Sequence, residues 1–101
     1  MYVGRIVIVG QNLGRSYVAY RVSSRSFPNR RAEIRGRSIL VSPLNPEDLA
    51  KNPYIAYNCI RITDRTAVVA NGSHCDMILE RIEDGMRPLD AISLSLVAYG
   101  Y

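Results

Sequence analysis

The sequence predicts an α+β fold in which an antiparallel sheet carries helices packed on one face. Short runs rich in β-branched residues, punctuated by Gly, Asn and Asp, fill the chain as far as Gly72. Beyond Gly72 the apolar spacing becomes that of helices. Strands grouped first and helices afterwards give a segregated layer rather than the alternating units of a parallel sheet. With 101 residues, 48% of them apolar, the chain is expected to form one domain over residues 1–101 with a core of its own.

Residues 3–9 read as the first strand, ending at Gly10-Gln11-Asn12 and turning back through Gly14 into a second strand at 16–23. Segments 32–35 and 38–42 flank Gly36-Arg37, a two-residue hairpin connection of the glycine-containing type. Prolines 43, 46 and 53 mark the next stretch as a loop with one short helical turn at 46–51. Segments 54–63 and 66–70 then pair around Asp64-Arg65, and Asn71-Gly72 closes the second of them because both residues tolerate positive φ. An amphipathic helix is expected at 77–83, capped by Ser73 or Asp76 and stopped at Gly85. Pro88 suits the first turn of a second helix running to residue 99. That helix is small or apolar on nearly every side and wants cover on two sides. The expectation is that it is covered by a second copy of the chain, making a homo-oligomer, or that the sequence belongs to something longer.

Charge is unevenly spread. Up to Ser42 there are eight arginines against Glu33, whereas the remainder holds Lys51 and four arginines against eight acids. A basic half attracts nucleic acid or a small phosphorylated ligand, and charge alone does not separate the two. Nucleic acid is the less favoured partner, since no paired zinc ligands, no aromatic RNA-binding motif and no arginine-bearing helix are evident. The densest segment is 20–31, with four arginines, three serines and an asparagine around the Phe27-Pro28 break. Guanidinium forks match phosphate or carboxylate bidentately, and the short neutral donors reach the remaining oxygens. The proline forces a turn there, so the segment reads either as an anion site or as a solvated basic loop.

On segment 54–63 a strict period of two places Ile55, Tyr57, Cys59 and Arg61 on one face and Tyr54, Ala56, Asn58, Ile60 and Ile62 on the other. Tyr57 and Cys59 are open between packing and chemistry. Cysteine catalysis has little support, because the single histidine, His74, has no evident orienting partner. His74 follows Asn71-Gly72-Ser73 at a turn before a helix, where backbone N–H groups attract anions, although a plain capping turn would look the same. Scattered acids and one histidine give no metal-ligand spacing, and Gly4, Gly10 and Gly14 make no dinucleotide fingerprint, so neither a metal nor a cofactor is expected. Cys59 and Cys75 read as reduced thiols, and with no signal peptide or spanning segment the expected location is the cytoplasm.

Met1-Tyr2-Val3-Gly4-Arg5, the stretch from Ala19 through Arg30, Asn52-Pro53-Tyr54, Tyr57-Asn58-Cys59-Ile60-Arg61 and Asn71-Gly72-Ser73-His74 together resemble the archaeal-type inosine monophosphate (IMP) cyclohydrolases. The likeness runs in order along essentially the whole chain. It implies the last step of purine biosynthesis, closure of 5-formamidoimidazole-4-carboxamide ribotide to IMP with loss of water. It also implies half of a four-layer αββα sandwich like that of the N-terminal-nucleophile hydrolases, although Tyr2 after Met1 is not the terminal nucleophile of those enzymes. Family members run to about twice this length, so the chain corresponds to their amino-terminal half. From the resemblance, Arg25, Ser26, Asn29 and Arg30 are expected to bind the nucleotide, with Arg30 reaching the reacting amide. Tyr57 is expected to donate to the formyl oxygen, and Asn58, Asn71 and His74 are further binding candidates by motif position. The alternative is a nucleotide- or phosphate-binding module without catalysis.

Overall fold

A computed structural model of the chain describes residues 4–100. Val3, the head of the predicted first strand, lies outside them, as do Met1 and Tyr2 of the terminal-nucleophile comparison.

Strands β1 (Ile6–Asn12) and β2 (Arg15–Arg21) form an antiparallel hairpin in register from Ile6 opposite Arg21 to Asn12 opposite Arg15. Leu13 and Gly14 turn it with φ of 51° and 76°, the left-handed pair whose twist matches that of the strands. Strands β3 (Arg30–Arg35) and β4 (Ser38–Pro43) meet across Gly36-Arg37 as the sequence predicts. Helix α1 (Pro46–Lys51) starts where Asn45 Oδ1 accepts from the Glu47 N–H. A four-stranded antiparallel sheet then closes in the order β3-β4-β5-β6, with β5 at Tyr57–Ile62 and β6 at Ala67–Val69.

The predicted strand at 54–63 is corrected in two ways. Its first residues form a 3₁₀ turn, Pro53–Ile55, because Pro53 suits a first helical position and Asn52 Oδ1 accepts from the Tyr54 N–H at 3.0 Å. Its alternation also breaks. Ile39 pairs with Ile60 but Leu40 pairs with Asn58, so Cys59 is an extra, bulged residue. A bulge reverses the face of everything beyond it, which puts Arg61 on the same side as Asn58 instead of the side of Tyr57.

Helix α2 (His74–Glu83) begins three residues ahead of the expected start and ends where Gly85, at φ 101°, lets Met86 N–H reach Arg81 O and Gly85 N–H reach Ile82 O. Helix α3 (Pro88–Ala98) packs on α2 through the fully buried Ala91 and Ser95.

The sheet is covered on both faces. Val18, Tyr20 and Val22 of the hairpin side pack on Val41, Tyr57, Cys59 and Ile60, and Val69 packs against the same cluster. Val68 and Ala70, whose side chains alternate with that of Val69, meet Cys75, Ile78 and Leu79 of α2 instead. The molecule is therefore layered as hairpin, four-stranded sheet, α2 and α3, with the helices on one face as expected. The cover that α3 wants on its far side is not met within the described residues: Leu89 and Val97 are 74% and 72% exposed.

Candidate functional site

Three segments and a helix end converge on one cleft of about 540 Å³: Arg5 ahead of β1, residues 52–55 in and before the 3₁₀ turn, residues 71–74 at the head of α2, and Tyr99 after α3. Each segment is held by local chemistry. Asn52 is pinned by the Tyr54 N–H, and residues 72–76 are wound by Cys75 N–H to Gly72 O and Asp76 N–H to Ser73 O. Gly72 leaves room for His74, since a Cβ there would sit 3.1 Å from Nδ1 of the imidazole. The His74 ring is buried and meets Tyr99 edge-on at 6.0 Å. Burial disfavours its charged form and holds its pKa below the ordinary value, so it lines the cleft as a neutral imidazole.

The basic turn is tied to this cleft by Arg30. Its Nε–H donates to Phe27 O at 3.1 Å inside the turn, and its Nη1–H donates to Ile55 O at 3.0 Å in the cleft wall. The turn itself is fixed by Phe27 N–H to Ser24 Oγ and by Leu44 N–H to Asn29 O. Arg25, Ser26 and Asn29 stand exposed on it. Nη2 of Arg30 is buried and has no hydrogen-bond acceptor among the described residues, so one donor of the fork is unspent.

Tyr57 does not line the cleft. It is 4% exposed between the two sheets, where its Oη lies 2.6 Å from Tyr20 Oη and the rings meet edge-on at 6.3 Å. Burial first, then the hydrogen bond to Tyr57, raises the Tyr20 pKa far above the ordinary phenol value, while the Arg5 charge pulls it back. Arg5, in the cleft wall, thus stands close enough to Tyr20 for its charge to be felt there. Asn58 is turned away from both. Its Nδ2–H donates to Asp76 Oδ1 at 3.1 Å, and Arg61 Nη1–H donates to the same atom at 3.1 Å, a convergence that the Cys59 bulge makes possible.

Of the expected site residues the fold thus gathers Asn71 and His74 in the cleft, Arg30 behind its wall, Arg25, Ser26 and Asn29 on the attached turn, Tyr57 beneath, and Asn58 on the α2 side. Sequence reasoning missed Arg5, Asn52, Tyr54, Tyr99 and Tyr20. A signal existed for Tyr20, which alternates with Val18 and Val22 and so shares their inward face.

The thiols are not poised for attack. Cys59 and Cys75 are free and buried; burial raises both pKa values, that of Cys75 to about 12, and their Sγ atoms lie 3.5 and 3.7 Å from Ile39 O and Val68 O. Among the described residues no three His, Cys, Asp or Glu side chains gather as a metal would require, and no helix is long and apolar enough to cross a membrane. A cation, amides, a neutral imidazole and exposed aromatic edges around a cleft of this size suit a planar anionic ligand.

The family described as IMP cyclohydrolase-like protein matches residues 2–101. The chain is 63% identical over 101 residues to an IMP cyclohydrolase of Methanothrix thermoacetophila, covering 100% of this chain and 51% of that one. It is 52% identical to an IMP cyclohydrolase of Methanocella arvoryzae, again over 100% of this chain and 51% of the relative. Identity to an IMP cyclohydrolase of Methanocaldococcus jannaschii is 45%, over 98% of this chain and 50% of the relative. The chain spans about half the length of these curated relatives.

Proposed function

The chain belongs to the IMP cyclohydrolase-like family, and on that premise we propose that it carries the nucleotide site of an IMP cyclohydrolase, which closes 5-formamidoimidazole-4-carboxamide ribotide to IMP at the end of purine biosynthesis. The observation that supports this most is the Arg30 clamp, which joins an arginine-rich turn to the wall of a cleft faced by Asn71 and His74.

Ring closure asks little covalent chemistry of the protein. The carboxamide nitrogen attacks the formyl carbon and gives up one of its two protons as the C–N bond forms, and the formyl oxygen is protonated to a hydroxyl. That hydroxyl takes a second proton and leaves as water while the formamido nitrogen loses its proton and forms the ring C=N bond. The protein must hold the ribotide folded, donate to the formyl oxygen and accept the nitrogens' protons. Arg25, Ser26 and Asn29 hold the nucleotide on the basic turn, and Arg30, which ties that turn to the cleft wall, reaches the reacting amide. Asn71 and neutral His74 meet the ligand in the cleft. Tyr57, paired with Tyr20, is the donor to the formyl oxygen. Asn58 acts through α2 by holding Asp76, two residues from His74. The layered sheets and helices would form part of an αββα sandwich of the N-terminal-nucleophile hydrolase kind, in a cytoplasmic homo-oligomer whose second copy covers α3.

The test is conversion of the formamido ribotide by this chain, followed by absorbance, with IMP binding and solution mass measured on the same sample. Turnover by an oligomer is the expected result. Saturable IMP binding without turnover would reduce the reading to a nucleotide-binding module, and a folded sample that does neither would overturn it.

A further inference from the structure

Arg5 occupies a distinctive place in the molecule. Of the side chains that line the cleft it is the one with a full charge, because His74 is kept neutral by its burial. No acid lines the cleft beside it, and among the described residues Arg5 makes no ion pair and no hydrogen bond. Several arginines elsewhere are paired with acids: Arg31 and Arg35 with Glu33, Arg37 with Asp64, Arg61 with Asp76, and Arg87 with Asp90. A guanidinium on the wall of a concave site with no carboxylate to satisfy it attracts an anion, most strongly a tetrahedral one that takes two of its donors at once.

The neighbouring groups narrow the class. Asn52 spends its Oδ1 on the Tyr54 N–H, which leaves Nδ2 as a second donor at the cleft. Tyr54 and Tyr99, exposed by 74% and 41%, offer ring surface for a flat heterocycle. We propose that Arg5 anchors a phosphate monoester in this cleft, as the cation that fixes the phosphate end of a mononucleotide. The choice of IMP as ligand rests on the function proposed above; the anion site itself does not. A phosphate on Arg5 would also screen its charge from Tyr20.

Calorimetric titrations of the parent chain, Arg5→Gln, Arg5→Lys and the control Arg87→Gln with IMP, inosine and ribose 5-phosphate test this. Arg5→Gln is expected to weaken IMP and ribose 5-phosphate by about tenfold or more while inosine binding is unchanged, the loss of a charge-assisted pair. Arg5→Lys should recover part of that loss, and Arg87→Gln should bind as the parent does. Unaltered IMP binding by Arg5→Gln, or equal weakening of IMP and inosine, would overturn the assignment. If the parent bound ribose 5-phosphate through Arg5 but not IMP, the anion site would stand and the cyclohydrolase reading would fall. If it bound neither, both would fall.

Discussion

Tyr20 Oη lies 2.6 Å from Tyr57 Oη, so one phenol pair joins the amino-terminal hairpin to the central strand β5 of the other sheet. One of the two hydroxyls donates and the other accepts, and the accepting residue keeps its own O–H free for a third group. Either oxygen can donate; in the arrangement where Tyr20 donates, the Tyr57 O–H is left available to another acceptor.

Tyr57→Phe should therefore slow ring closure by about two orders of magnitude, since a single well-placed donor is worth ~3 kcal/mol, while IMP affinity stays unchanged. Steady-state kinetics and IMP titration of the same variant separate the two effects. Normal turnover by Tyr57→Phe would remove the residue from the mechanism.

Tyr20→Phe keeps the ring but leaves a buried Tyr57 oxygen without its partner, which costs about 1–3 kcal/mol of unfolding free energy in urea. The pH dependence has a definite sign. Because the folded pKa of Tyr20 lies above its ordinary 10.0, the unfolded chain loses that proton first, and the contribution to stability disappears as pH rises beyond 10.0. The Tyr20→Phe variant should lose less stability than the parent over that alkaline range.

His74 acts at the other end of the scale. Its folded pKa lies below 6.5, so as pH falls through 6.5 the unfolded chain takes up a proton that the folded chain does not, and stability drops. Thermal unfolding of the parent should fall more steeply below that pH than that of His74→Gln. Parallel curves would show that the ring is not held neutral by burial.

Much of the framework was legible because it is local. Gly36-Arg37 marked the β3–β4 turn, Asn71-Gly72 marked the end of the sheet, and Pro88 and Gly85 bracketed the break between α2 and α3. The alternation of β5 was misjudged because one bulged residue, Cys59, changes the face of Arg61, and no pattern within the strand announces a bulge set by its partner β4. The basic turn was readable as an anion site, but its tie to the cleft depends on Arg30 reaching Ile55, 25 residues away. Tyr20 and Tyr57 are separated by 37 residues and Arg5 meets the cleft only once the hairpin has packed, so those relationships exist in the fold and not in any sequence window.

Cys59 and Cys75 should resist thiol reagents in the folded chain at neutral pH. Both are buried with raised pKa values, and reaction requires the thiolate to be exposed. Labelling that proceeds at the rate of unfolding is the expected outcome; rapid native-state labelling of Cys59 would return it to consideration as a reactive group.

The central claim is that one nucleotide site is assembled from the basic turn, Arg5 and the head of α2. Amide chemical-shift mapping of the isotope-labelled chain titrated with IMP tests it most directly. The account predicts saturable shifts at Arg5, Ser26, Asn29, Arg30 and across Asn71 to His74, with Asp64 and Arg65 at the far β5–β6 turn unmoved. Shifts confined to the β5–β6 turn, or none at saturating IMP, would contradict it.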